Sequence, residues 1–101
     1  MEWLRLEITK EHVRRANEQV KEGYAYECCP IAQALVEKLG PAEDLCVWPF
    51  RRDSKLSLAR HNGTTWQLSR RANYEANYWD ETKEFTPGRY ELMRVSEGPT
   101  T

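Results

Sequence analysis

No stretch of this chain approaches the roughly 20 consecutive apolar residues needed to cross a bilayer, so it offers no candidate transmembrane segment and implies no membrane partner. Its first residues, Met1-Glu2-Trp3-Leu4-Arg5-Leu6-Glu7, alternate charge and apolarity and do not form a signal peptide. Imidazoles are scarce, with only His12 and His61. Cysteine is limited to Cys28, Cys29 and Cys46, with no Cys-x-x-Cys pair. Zinc-site spacing is therefore missing, and the adjacent pair would chelate one ion poorly, so neither a metal nor a cofactor is expected. The odd count also excludes an ordinary disulfide framework and points to a reducing cytoplasm. There is no basic excess: 15 Lys and Arg against 16 Asp and Glu leave a net charge of −1, which argues against a general polyanion binder. A glycine-rich phosphate loop, an acid-base constellation, an internal repeat and an interdomain linker are likewise missing.

What remains is a chain of 101 residues, 40% hydrophobic, with four Trp, five Tyr and two Phe. That suffices for one domain with a single core and no need of disulfides. Its most legible stretch runs from Cys28 to Pro41. Cys29 stands at an N-cap and Pro30 at the first helical position, where its missing N–H costs nothing. Ala32, Leu35, Val36 and Leu39 form an i, i+3, i+4, i+7 stripe, and Gly40-Pro41 ends the helix. Upstream, Leu4, Leu6 and Ile8 alternate with Trp3, Arg5 and Glu7 as in a half-buried strand. Thr9 caps a helix from Lys10 to Glu22 with a thin stripe of Val13, Ala16 and Val20, closed by Gly23; Tyr24 and Tyr26 fall in the connector.

Downstream, Asp44 to Phe50 has strand composition, with Pro49 confining its end to a sheet edge, and Arg51 to Lys55 forms a polar turn. The segments around Asn62-Gly63 form a hairpin. A three-residue loop, His61-Asn62-Gly63 with Gly63 at positive φ, sets Leu58 opposite Trp66 and Leu56 opposite Leu68. All four then share one buried face, whereas a two-residue turn divides them between faces. Ser69 caps a third helix from Arg70 to about Asp80, with Ala72, Ala76 and Trp79 on one side and Tyr74 and Tyr78 beside them. A last strand covers Tyr90 to Val95. The succession β-α-α-β-β-β-α-β describes a single α+β domain over residues 1–95, with a mainly antiparallel sheet and helices on one face; residues 96–101 read as a disordered tail.

The segments Ile8-Thr9-Lys10-Glu11-His12-Val13, Cys29-Pro30-Ile31-Ala32-Gln33-Ala34-Leu35, Leu45-Cys46-Val47, Tyr78-Trp79-Asp80 and Phe85-Thr86-Pro87 resemble a family of small uncharacterised proteins encoded by bacteriophages and their bacterial hosts. The helix motif of that family reads Cys-Pro-(Ile/Val)-Ala-x-Ala-Leu. The resemblance implies the same small fold, a phage context and the host cytoplasm as location. It implies no particular activity.

Two chemistries compete with plain structural readings. A thiol at a helix N-terminus, such as Cys29, has the placement of a nucleophile, and His12 or His61 would have to be its base; as a structural residue it is a small buried cap. Arg51, Arg52, Lys55, Arg60 and His61, then Arg70 and Arg71, lie near Trp66, Tyr74, Tyr78 and Trp79 in sequence. Arginine interleaved with aromatics suits a protein hot spot or stacking on a nucleotide. Glu37 to Asp44 and Glu75 to Glu91 would supply an opposing acidic face. The leading reading is a phage accessory protein that binds a host protein without catalysis, inhibiting a defence or regulatory factor. Its contact residues are Arg51, Arg52, Arg60, Arg70, Arg71, Tyr74 and Tyr78. The alternative is a binder of nucleic acid or a small nucleotide through the same surface, and the third reading is a cysteine-dependent enzyme at Cys29.

Overall fold

The alternation at the N-terminus makes a strand, β1 (Trp3–Ile8), with Leu4, Leu6 and Ile8 buried and Trp3, Arg5 and Glu7 exposed. The computed structural model describes residues 2–21, 28–48 and 57–96. After β1 come α1 (Lys10–Gln19), α2 (Pro30–Leu39), β2 (Cys46–Trp48), β3 (Leu58–His61), β4 (Thr64–Leu68), α3 (Arg70–Thr82) and β5 (Gly88–Ser96). This is the expected succession and the expected α+β class. The ends expected at Glu22 and Gly23, the connector with Tyr24 and Tyr26, the turn Arg51 to Lys55, Leu56 and residues 97–101 lie outside the described residues.

The caps follow from the residues. Thr9 Oγ1 accepts from the His12 N–H, and His12 Nδ1 accepts in return from the Thr9 N–H at 2.9 Å. This is a capping box with imidazole where Glu or Gln is usual. Ser69 Oγ accepts from the Ala72 N–H at 3.2 Å to start α3. Cys29 and Pro30 open α2 as expected, and Gly40 closes it at φ +93. The buried arc of α2 is turned from the expected stripe: Ile31, Ala32, Ala34 and Leu35 are buried, while Leu39 is 41% exposed. The helix packs on α1 as well as on β1 and β2, which draws Ile31 and Ala34 inward and leaves its last turn at the rim.

The sheet order is β1-β5-β4-β3-β2, with every pairing antiparallel. The C-terminal strand thus lies between the N-terminal strand and the β2-β3-β4 meander. It runs from Gly88, opposite Ile8, through Ser96, longer than the expected Tyr90 to Val95. Directly paired residues share a face, and one face is buried across its centre, with Leu4 beside Leu92, Leu6 beside Tyr90, Leu68 beside Leu92, and Trp66 beside Ala59 and Val47, while Arg94, opposite Trp66 near the end of β5, is exposed. The helices cover this face. Asn17 ties two of them, its Oδ1 accepting from Trp79 Nε1–H at 2.7 Å while its Nδ2 donates to the Lys83 carbonyl.

The hairpin register overturns the expectation. His61 pairs with Thr64, so Asn62-Gly63 is a two-residue turn with φ of +49 and +83; Leu58 opposes Gln67, and Ala59 opposes Trp66. Gly63 has the expected positive φ, but Leu58 is half-buried on the face opposite Trp66 and Leu68. Two tertiary interactions explain this. Asp44 receives the turn's amides, from Asn62 to Oδ1 at 2.6 Å and from Gly63 to Oδ2 at 2.8 Å, with Arg60 Nε at 3.1 Å. The inner face of β3 is also not an apolar seam. It is built of Ser57, Ala59 and His61: Ser57 N–H and Oγ–H bond Asn73 Oδ1 on α3, and His61 Nε2–H donates to the Gly40 carbonyl at 2.7 Å. Small and satisfied polar groups there replace the large apolar ones that the pattern argument required.

The Gly63 amide chiefly, with Asn62 and Arg60, holds the Asp44 carboxyl below its ordinary value of 3.8. A depressed carboxyl contributes stability that is present above the unfolded value and lost as pH falls. Asp44→Ala is therefore expected to lower the urea midpoint at pH 7, with the gap from wild type closing below about pH 3.8. Gly63→Ala meets no atom within 4 Å, so its cost is conformational, about 1–2 kcal/mol, read as a shift in midpoint at constant m-value.

Candidate functional site

The residues expected to form one contact surface are separated by the fold. Arg70, Tyr74 and Tyr78 recur every four residues along α3, which places them in one stripe. All three are exposed, Tyr74 by 58% and Tyr78 by 40%. The helix presents them outward because Ala72, Ala76 and Trp79 take the buried side. The two tyrosine rings stack, with centroids 6.0 Å apart and an interplanar angle of 15°. Arg70 makes no ion pair among the described residues. This stripe is a pre-ordered aromatic surface with a cation at one end.

Arg71 and Arg60 do not join it. The Arg71 guanidinium lies 4.6 Å from the centroid of the Tyr90 ring and donates to the Arg89 carbonyl at 3.4 Å, so it is spent on fastening α3 to β5. Arg60 points to the other side of the sheet and pairs with Asp44 at 3.1 Å. Arg51 and Arg52 lie outside the described residues. Trp66 and Trp79 are core residues rather than surface aromatics.

Cys29 is buried, 5% exposed, and its Sγ makes no capping hydrogen bond. Burial pushes the thiol from 9.0 up to about 12, outweighing the opposite pull of the nearby Ala32 and Ile31 amides. Neither histidine is placed as its base. His12 is buried, with Nδ1 taken by the Thr9 amide; the ring proton is then on Nε2, which donates to Glu37 Oε1 at 2.8 Å. His61 is held by the Gly40 carbonyl. Cys28, Cys29 and Cys46 carry thiols rather than disulfides, and the described residues contain no group of three or more His, Cys, Asp or Glu side chains arranged to hold a metal ion.

A cleft of about 320 Å³ between α2 and β1 is lined by Arg5, Glu7, Ala34, Glu37, Lys38 and Arg89 among others. Its charges are already engaged: Lys38 Nζ donates to the Arg5 carbonyl at 3.0 Å, Arg89 pairs with Glu7, and Glu37 holds His12. Lys38 there covers the outer edge of β1, which would otherwise invite another strand. The His12–Glu37 contact spans 25 residues. The only hint in the sequence was the position of His12, three residues after a capping threonine.

No protein-family model matches the chain, and no significant match is found among curated proteins or solved structures.

A thiol held protonated by burial contributes stability that is complete below pH 9.0 and is lost as pH rises toward 12, at no more than about 1.4 kcal/mol per pH unit. Cys29→Ala is expected to be less stable than wild type at pH 7, by about 1 kcal/mol for the lost buried sulfur. The difference should narrow above pH 9.0. Alkylation of the folded protein at Cys29 is expected to be slow at pH 8 and to accelerate in urea; fast labelling without urea would reopen the nucleophile reading.

Proposed function

We propose that this chain is a non-catalytic binding domain that docks on a partner protein through the Arg70–Tyr74–Tyr78 stripe of α3. Following the resemblance to phage-encoded proteins, we take the partner to be a host defence or regulatory factor that is inhibited by occupation of its surface. The observation that carries the reading is the exposed, stacked tyrosine pair in line with Arg70. Tyr and Arg are the residues that dominate binding hot spots, and a ring already held by its neighbour loses little entropy on docking. Binding of a nucleic acid or nucleotide would use the rings for a base and a cluster of arginines for phosphates. Arg71 and Arg60 are turned elsewhere, and Glu75, Glu81 and Glu84 share the α3 region. This surroundings favours a protein partner.

Wild type and Tyr74→Ala/Tyr78→Ala are compared for capture of host proteins at physiological salt, followed by calorimetry with the protein recovered. The double variant is expected to keep its melting temperature, because the rings are exposed, and to lose at least about 30-fold in affinity, the scale of one 2 kcal/mol hot spot. Single-stranded oligonucleotides are expected to bind weakly, with a log–log salt slope of about −0.7 per phosphate contacted, and to be released at physiological salt. Retained partner affinity in the double variant would eliminate α3 as the interface.

A further inference from the structure

The face of the sheet turned away from the helices carries a row of side chains that crosses all five strands. Trp3 on β1 pairs with Met93 on β5, Met93 with Gln67 on β4, Gln67 with Leu58 on β3, and Leu58 with Trp48 on β2. Paired residues share a face, and none of these five is buried; Trp3 is 55% exposed. The order is palindromic in character: aromatic, aliphatic-like, amide, aliphatic, aromatic. We infer that this face is a homodimer interface, in which a second copy of the chain packs sheet to sheet about a two-fold axis passing through Gln67.

Three observations choose a second copy over other occupants. An in-plane two-fold through Gln67 matches the row to itself whether it runs along the row or across it. In both cases tryptophan meets tryptophan, Met93 meets Met93 or Leu58, and Gln67 meets Gln67, whose amide offers both a donor and an acceptor to its copy. The charges of the face are cancelled within the chain: Arg5 with Glu91 and Arg89 with Glu7 at 3.5 Å each, and Arg60 with Asp44 at 3.1 Å. Among the described residues, such a face brings no net repulsion to its copy and offers a polyanion no unpaired arginine. Its size fits a weak, micromolar association: five strands at about 4.8 Å and a mean length of about 5.4 residues give a footprint of about 430 Å² per copy, on the order of 900 Å² in total, within the range of small, transient interfaces. Sheets meeting this way pack about 10 Å apart with strands rotated by about 30°. The α3 stripe stays outside this contact, so a dimer presents two of them.

Sedimentation equilibrium tests the inference on the full chain. Wild type is expected to double its apparent mass with a midpoint in the micromolar range, and Tyr74→Ala/Tyr78→Ala to dimerise equally. Gln67→Glu and Gln67→Lys, each placing like charges on the axis, are expected to be monomers with near-native circular dichroism. Mixed in equal amounts, they are expected to recover the dimer, because only the mixed pair joins opposite charges. A wild type that stays monomeric at several hundred micromolar overturns the inference. So does a dimer that survives both substitutions, one abolished by the tyrosine variant, or a mixture that stays monomeric.

Discussion

The fold depends on the position of one strand. β5 hydrogen-bonds β1 along its whole length on one side and β4 on the other, so the last strand of the chain joins the first to the β2-β3-β4 meander. Without β5, β1 has no strand partner, and the N-terminal half is joined to the hairpin and α3 by side-chain bonds such as Asn17 with Trp79 and His61 with the Gly40 carbonyl. Tyr90 and Leu92 of this strand then touch both halves of the core, with Leu6 and Leu4 on one side and Leu68 on the other. Ends so distant in sequence carry a high loop-closure cost. They are held by supports outside the ladder: Phe85 packs edge-on against Tyr90 at 5.3 Å, Tyr90 O–H donates to the Thr86 carbonyl at 2.5 Å, and Arg71 covers the Tyr90 ring.

From this joint the molecule acquires two sides of different character. All three helices lie on the face where Leu4, Leu6, Tyr90, Leu92, Trp66 and Leu68 are buried, and the outward stripe of α3 is the surface that face presents to solvent. The opposite face has no covering element among the described residues, and its side chains are half-buried or exposed. A binding role for α3 and self-association of the sheet therefore do not compete for space. The burial that creates the helix layer also encloses Cys29. At the start of α2 it lies in the core, where desolvation disfavours the thiolate more than the local amides favour it.

The candidate site was partly legible in the sequence. Arg70, Tyr74 and Tyr78 recur at a helical interval, and a capped helix with Ala72, Ala76 and Trp79 as its apolar side must turn them outward. Proximity in sequence misled for Arg60 and Arg71. The first sits on the helix-free face because strand alternation places it with Leu58, and the second lies one position from Arg70, about 100° around the helix, where it reaches Tyr90. His12 stood in the sequence as a candidate base for Cys29, yet it closes a cap and reaches a glutamate 25 residues away.

Sequence alone determined the elements whose signals are local: the alternating β1, the caps at Thr9 and Ser69, Pro30 and Gly40 at the ends of α2, positive φ at Gly63, and the order of strands and helices. Each depends on the chain within a few residues, where propensity and periodicity act. Tertiary structure alone decided the strand order, the register of the hairpin and the fate of the individual arginines. The hairpin shows the physical reason most plainly. Apolar alternation favoured one register, and the other holds because Asp44, Asn73 and Gly40, from three other parts of the chain, satisfy the polar groups of the turn and the inner face. Buried polar groups must find partners, and which partners are within reach is fixed only when the chain has folded.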